Sequence, residues 1–207
     1  MSAPKPILFS YYRSSCSWRV RIALAHKGVD YEYRPVHLLK QEQVTKLASV
    51  IHRTNNPEVV ICTLIQNSHR RYCSSAYSFK LERFFLPSKV REICEVIGSG
   101  IQPLQNLSVL QKVGEEKKME WSSFFIKKGF IAALEQLLTD CAGKYSVGDE
   151  VTLADCCIVP QIYNATRFKV DMAPFPTIRR VYDALAELDP FKAAHPSNQP
   201  DCPEEMK

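Results

Sequence analysis

The chain has 207 residues, 45% of them hydrophobic and 24% charged, with a formal net charge of +5 and eight cysteines. That size predicts one large or two small globular domains. The charge is spread out, which gives nucleic-acid binding little support, and neither a signal peptide nor a long apolar run points to export or a membrane span. No two cysteines form a C-x-x-C pair and none is spaced with histidine for a metal. Neither a zinc ribbon nor a dithiol redox motif is therefore expected, and reduced thiols inside the cell are the simplest reading. A modest positive balance favours a small anionic substrate.

Residues 6–11, PILFSY, are a short apolar run suited to a buried strand. CSWRVRIALAHKG then places Cys16, Val20, Ala23 and Leu24 at helical spacing. Gly28 is positioned to end that helix in the left-handed conformation, with His26 and Lys27 in the last turn. DYEYRPVHL alternates like a strand, so strand, helix and strand predict a βαβ unit with a parallel pair. From 41 to 88 the signals weaken, with room for a strand from Val59 to Ile65. Beyond Lys89 the apolar spacing is helical, and Pro103 should kink or interrupt the first long helix. Thr152 followed by Asp155 forms a capping box in its acidic form, flanked by Val151 and Cys156 as a hydrophobic staple. The tail, HPSNQPDCPEEMK, is polar and proline-rich and is expected to pack loosely. The layout is α/β followed by all-α, with a domain over 4–82 and a helical domain over 83–203.

RSSCSWR is the stretch that carries chemistry. It gathers three hydroxyls and one thiol where the helix of the βαβ unit begins, and a helix start offers unpaired N–H groups to an anion. Two readings are open: Cys16 is itself a nucleophile, or the serines serve a thiol carried by a ligand. A free thiol has a pKa near ~8.5. Ionising it at neutral pH takes about 2.7 kcal/mol, which a helix N-terminus and a hydroxyl donor supply together and neither supplies comfortably alone. The plain alternative is that Ser14 or Ser15 only caps the helix. Cys16 shares its face with Val20 and Leu24, so burial competes with reactivity there. Arg13 and Arg19 flank the motif and suit carboxylates.

SSCSWRVRIALAHKG, GSGIQPLQNLSVLQKVGEE, YSVGDEVTLADCCIVPQ and NATRFKVDMAPFPTI closely resemble the zeta-class glutathione transferases, the maleylacetoacetate isomerase family, over roughly 4–40 and 89–203. The resemblance implies a thioredoxin-like N-terminal domain, an all-helical C-terminal domain, a cytoplasmic homodimer and glutathione as cosubstrate. It implies a cis–trans isomerase that converts maleylacetoacetate to fumarylacetoacetate in phenylalanine and tyrosine breakdown, with glutathione transferase activity besides. Ser14, Ser15 and Cys16 correspond to the catalytic turn, with Ser14 pointing at the glutathione sulfur. Ser17, Trp18 and Arg19 complete the glutathione-binding motif. Gln43 matches a residue at the glycyl end, and Ile61, Cys73 and Ser74 fall in the stretch that holds the rest of the peptide. Gln102, Asn106, Leu107 and Ser108 match the helix overlooking that site, and Arg167, with Arg13, is implied for the carboxylates of a small dicarboxylate substrate.

The middle of the chain departs from the family. Cys62 stands where the family has its cis-proline, and Cys73 stands in place of the glutamine that holds the γ-glutamyl end; Ser74 and Ala76 match. The chain is also shorter than the family between Glu82 and Lys89. These departures raise an alternative expectation, a non-catalytic or weakened variant of the same fold.

Overall fold

The computed structural model describes residues 5–40, 42 and 85–207. The chain divides into two compact units, Met1–Ser78 with Asp189–Lys207 and Phe79–Leu188. The first opens as strand β1 (Ile7–Ser10), helix α1 (Ser15–His26) and strand β2 (Glu32–Pro35). The strands pair in parallel with Ile7 opposite Glu32 and Ser10 opposite Pro35, as a βαβ connection requires. Leu8, Val20 and Leu24 form a small cluster with Tyr31 and Tyr33 packed against it.

Both ends of α1 are set by local chemistry. Ser14 at the N-cap has extended backbone, and its hydroxyl oxygen accepts a hydrogen bond from the Ser17 N–H. At the other end Gly28 takes a φ of +63°. Its N–H donates to the Ala25 carbonyl at 3.1 Å and the Val29 N–H to the Leu24 carbonyl at 2.9 Å. That pair of bonds is the Schellman closure, which needs a residue tolerant of positive φ.

The tail does not pack loosely. Asp201 accepts from the Tyr12 N–H at 2.9 Å and from the Tyr33 hydroxyl at 2.5 Å. Gln199 donates its side-chain amide to the Ala193 and His195 carbonyls. Cys202 is buried with Tyr11 and Tyr12. Burial, and then the bond to Asp201, hold the Tyr33 phenol far above its ordinary range. Proline and polar composition predicted looseness, but specific hydrogen bonds to Tyr12 and Tyr33 overrode it, and Asp189–Lys207 belongs to the first unit.

The second unit is helical: α2 (Phe85–Glu95), α3 (Leu107–Val113), α4 (Lys118–Gly129), α5 (Glu135–Cys141), α6 (Leu153–Arg167) and α7 (Pro176–Ala186); a short α8 (Asp189–Ala193) returns to the first unit and packs on α1. Its core joins Ile93, Ile97, Ile126, Phe130, Leu138 and Ile158, all fully buried. Pro103 does interrupt the helix that begins at α2. The chain widens to a π-helical turn over Val96–Ile101, tightens to 3-10 over Gln102–Gln105 and restarts as α3. Such a widened turn re-aims the residues that follow it. Gly129 lets Ile101 approach the α4 backbone, since a Cβ there would collide with the Ile101 side chain.

The start of α7 is capped from another helix. Its own N-cap, Phe175, has no side-chain acceptor, and the Glu135 carboxylate on α5 takes the Thr177 N–H at 2.7 Å and the Ile178 N–H at 3.0 Å. Glu135→Ala is expected to lower stability by about 1–3 kcal/mol, the range for bonds to a charged acceptor. Thermal unfolding checks this, and a variant as stable as the parent would exclude the capping role.

Candidate active site

The site is built on the turn between β1 and α1. Ser14 N–H donates to the Tyr11 carbonyl at 3.0 Å, closing the turn, and the Ser14 oxygen accepts from Ser17 N–H at 3.3 Å. A serine hydroxyl has one proton to donate and two lone pairs to accept with. Capping uses one lone pair and leaves the O–H available, so one oxygen can cap the helix and also donate to an anion. Ser14 is largely buried, with 9% of its surface exposed. Ser15, Cys16, Arg13 and Arg19 are half-buried around it.

Ser17 and Trp18 belong to the same motif but face inward. Both are buried, and the Trp18 ring meets His195 edge-on at 5.3 Å between centroids. The 3.6-residue period explains the split: 17, 18, 21 and 24 turn to the interior while 15, 16 and 19 stay nearer the surface. Burial, followed by the nearby positive charge of Arg21, lowers the His195 pKa. A cavity of about 570 Å³ adjoins the turn, lined in part by Tyr11, Tyr12, Arg13, His37 and Asp201. Arg13 offers this cavity a guanidinium, the group best shaped to hold a carboxylate.

In the second unit, Gln102, Asn106, Leu107 and Ser108 lie on either side of Pro103, where the helix breaks and restarts. The Gln102 amide donates to the Asn106 side-chain oxygen, and Asn106 forms the N-cap of α3 through its backbone. Ser108 is exposed; Gln102, Asn106 and Leu107 are half-buried. The segment is braced from below, with Gln161 donating to Gln105 at 3.4 Å, Gln105 to the Ile101 carbonyl at 3.1 Å, and the Trp121 indole to the Leu104 carbonyl at 3.0 Å. Arg167 is exposed in the last turn of α6, with its guanidinium 5.1 Å from the centre of the Phe168 ring. Cys156 and Cys157 are core residues, and Cys141 donates its thiol to the Leu137 and Ser146 carbonyls. Burial pushes the Cys141 thiol up, the reverse of what a reactive thiolate needs. Among the described residues no group of His, Cys, Asp and Glu could hold a metal ion, and no helix is long and apolar enough to cross a membrane.

Gln43, Ile61, Cys62, Cys73 and Ser74 lie outside the described residues. Arg21 and Asp201, in contrast, were not singled out by sequence reasoning, yet both hold the turn that carries Ser14. An arginine in the apolar run RVRIALA was the available signal for the first; the second had none.

Residues 4–62 match the glutathione S-transferase N-terminal domain family and residues 107–194 the glutathione S-transferase C-terminal domain family. The chain is 48% identical to maleylacetoacetate isomerase of Mus musculus over 220 residues, covering all of both chains. It is similar in structure to maleylacetoacetate isomerase from Anaeromyxobacter dehalogenans 2CP-1 with bound GSH in the active site. The TM-score is 0.76 at 41% identity, over 96% of this chain and 98% of that one. The same bacterial enzyme with bound dicarboxyethyl glutathione and citrate in the active site gives a TM-score of 0.75 at 38% identity, over 97% and 94% of the two chains.

Proposed function

We propose a function on a secure premise: this chain belongs to the zeta-class glutathione transferases, the family of the maleylacetoacetate isomerases. It is a glutathione-dependent cis–trans isomerase that converts maleylacetoacetate to fumarylacetoacetate, with glutathione transferase activity. The observation that carries this reading is the Ser14 hydroxyl, fixed as the N-cap of α1 with its proton uncommitted. Bound glutathione supplies a thiolate that adds reversibly to the conjugated cis double bond, which lets the bond rotate before elimination restores it in the trans form. The reaction balances without net proton or electron transfer.

The chain's residues have to hold that sulfur ionised and align the dicarboxylate. Ser14 donates its O–H to the sulfur, and the first N–H groups of α1 add the positive end of the helix. Ser15, Cys16 and Arg19 surround it from the same turn; Ser17 and Trp18 support the turn from the interior. Arg13 and Arg167 are assigned to the substrate carboxylates, a reading that the citrate in the similar bacterial structure supports by chemical likeness. Gln43, Ile61, Cys73 and Ser74, and Gln102, Asn106, Leu107 and Ser108, are assigned to glutathione by family resemblance. On the same grounds we place the chain in phenylalanine and tyrosine breakdown, as a cytoplasmic homodimer. By resemblance the glutathione domain is assigned to 4–82 and the helical domain to 83–203, with the closing segment Asp189–Lys207 packed into the first unit.

Purified protein is expected to isomerise maleylacetoacetate only when glutathione is added, and to bind glutathione by calorimetry. Cys16→Ser should keep most of the activity, since the ligand's thiol is the nucleophile. Isomerisation at an undiminished rate without glutathione would overturn the assignment.

A further inference from the structure

The groups that fix Ser14 come from far along the chain. Tyr12, two residues before the cap, is gripped on both sides of its backbone. Its N–H donates to Asp201 Oδ2 at 2.9 Å, and its carbonyl accepts from Arg21 Nη2 at 2.9 Å. Through Nη1 the same guanidinium reaches Ser10 Oγ at 3.0 Å and the Tyr11 carbonyl at 3.3 Å, and through Nε it reaches the Ala194 carbonyl at 3.2 Å. The Tyr11 carbonyl also takes the Ser14 N–H. The backbone from the end of β1 to the cap is thus held by one fully buried arginine and one half-buried aspartate.

The placement has a geometric logic. Arg21 lies two turns beyond Ser14 on α1, so the helix whose first turn faces the ligand also carries the clamp on the loop that enters it. The rigid fork of arginine bonds three successive residues, the Ser10 hydroxyl at the end of β1 and the Tyr11 and Tyr12 carbonyls of the loop, which the single ammonium of lysine could not do with comparable geometry. Hydrogen bonds weaken steeply as they leave alignment. A small displacement of the loop would therefore weaken the Ser14 bond to sulfur well before the fold is lost.

We propose that Arg21 and Asp201 are positioning residues for the isomerisation. Together they fix the Ser10–Ser14 backbone so that the Ser14 hydroxyl and the start of α1 are aligned on the ligand sulfur. The C-terminal segment from Ala194 to Cys202 is then a working part of the thiol-activating turn. This inference rests on the function proposed for the same turn.

The test is a pH titration of the thiolate absorbance of bound glutathione, with kcat, KM and thermal unfolding measured alongside. Parent, Arg21→Lys, Asp201→Ala and Glu135→Ala are compared. In the parent the bound thiol should ionise at lower pH than free glutathione. In Arg21→Lys and Asp201→Ala the titration should move upward, cutting the thiolate fraction near pH 6 about tenfold. kcat should fall by a similar factor, while KM for glutathione changes much less. Glu135→Ala should lower the unfolding temperature and leave the titration where the parent has it. Asp201 is half-buried, so its truncation should be tolerated even if the Arg21 variant does not fold. A folded Asp201→Ala protein that titrates with the parent overturns the positioning role, whatever its stability. A parent that binds glutathione with an unperturbed thiol overturns that role together with the thiolate-stabilising role of Ser14, while glutathione-dependent isomerisation is judged separately by the rate with and without glutathione. A parent that binds no glutathione overturns the positioning role and the isomerase assignment.

Discussion

Asp155→Ala is expected to destabilise the protein by about 3–5 kcal/mol, a large part of the margin of any domain of this size. Asp155 is fully buried, and its carboxylate is the acceptor for three separate donors. Oδ1 takes the Ser146 N–H at 2.8 Å, while Oδ2 takes the Thr152 N–H at 2.6 Å and the Thr152 hydroxyl at 3.0 Å. Truncation strands all three in the interior, each at about 1–3 kcal/mol if no water replaces the lost oxygen. It also removes half of the capping box that starts α6, whose first turns lie in the main core. Urea denaturation checks the size of the loss; a cost below about 1 kcal/mol would mean that water satisfies those donors. Burial raises the Asp155 pKa in spite of the bonds made to it. A carboxyl whose folded pKa is raised contributes most at pH below its unfolded value, about 4, and loses that contribution as pH rises through the folded value. The gap between parent and Asp155→Ala should therefore be widest in acid and narrow on going to neutral pH.

Ser14→Ala is expected to reduce kcat/KM for isomerisation about 10- to 150-fold, from loss of a hydrogen bond to a charged sulfur worth about 1.5–3 kcal/mol. It should also cost about 1 kcal/mol of stability, because Ser14 caps α1. The two roles separate by a second substitution. Ser14→Asp keeps an acceptor for the Ser17 N–H and should restore the stability, while its negative charge opposes the thiolate and leaves activity at or below that of the alanine variant. If Ser14→Asp recovered activity along with stability, capping alone would account for Ser14.

Much of the site was legible because its signals are local. A hydroxyl before a helical apolar run, a glycine at its end, Thr152 with Asp155 three residues on, and a proline inside a helical period are all fixed by backbone dihedrals and hydrogen bonds within one or two turns. Those local rules predicted a serine cap at Ser14 or Ser15, the Gly28 closure, the capping box and the break at Pro103; each is in the structure, with Ser14 as the cap. The motifs around them were long enough to carry the family resemblance. The resemblance also placed Ser17 and Trp18 in the binding motif; that motif's helical period turns both of them inward.

What only the tertiary structure decided is what crosses the chain. The Tyr12 to Asp201 bond spans 189 residues, the Arg21 to Ala194 bond 173, and the Thr177 to Glu135 cap 42. No periodicity or propensity encodes such a partner, because each bond exists only once the core has brought two distant backbones together. That is why a polar, proline-rich tail read as loose although it fastens the turn that carries Ser14. It is also why Arg21, which the sequence reading did not single out, is fully buried. The sequence by itself determined the local signals, a serine cap, a glycine closure, a capping box and a proline break; the fold decided what holds the Ser14 turn still, since a buried guanidinium is tolerable only where the assembled chain surrounds it with acceptors.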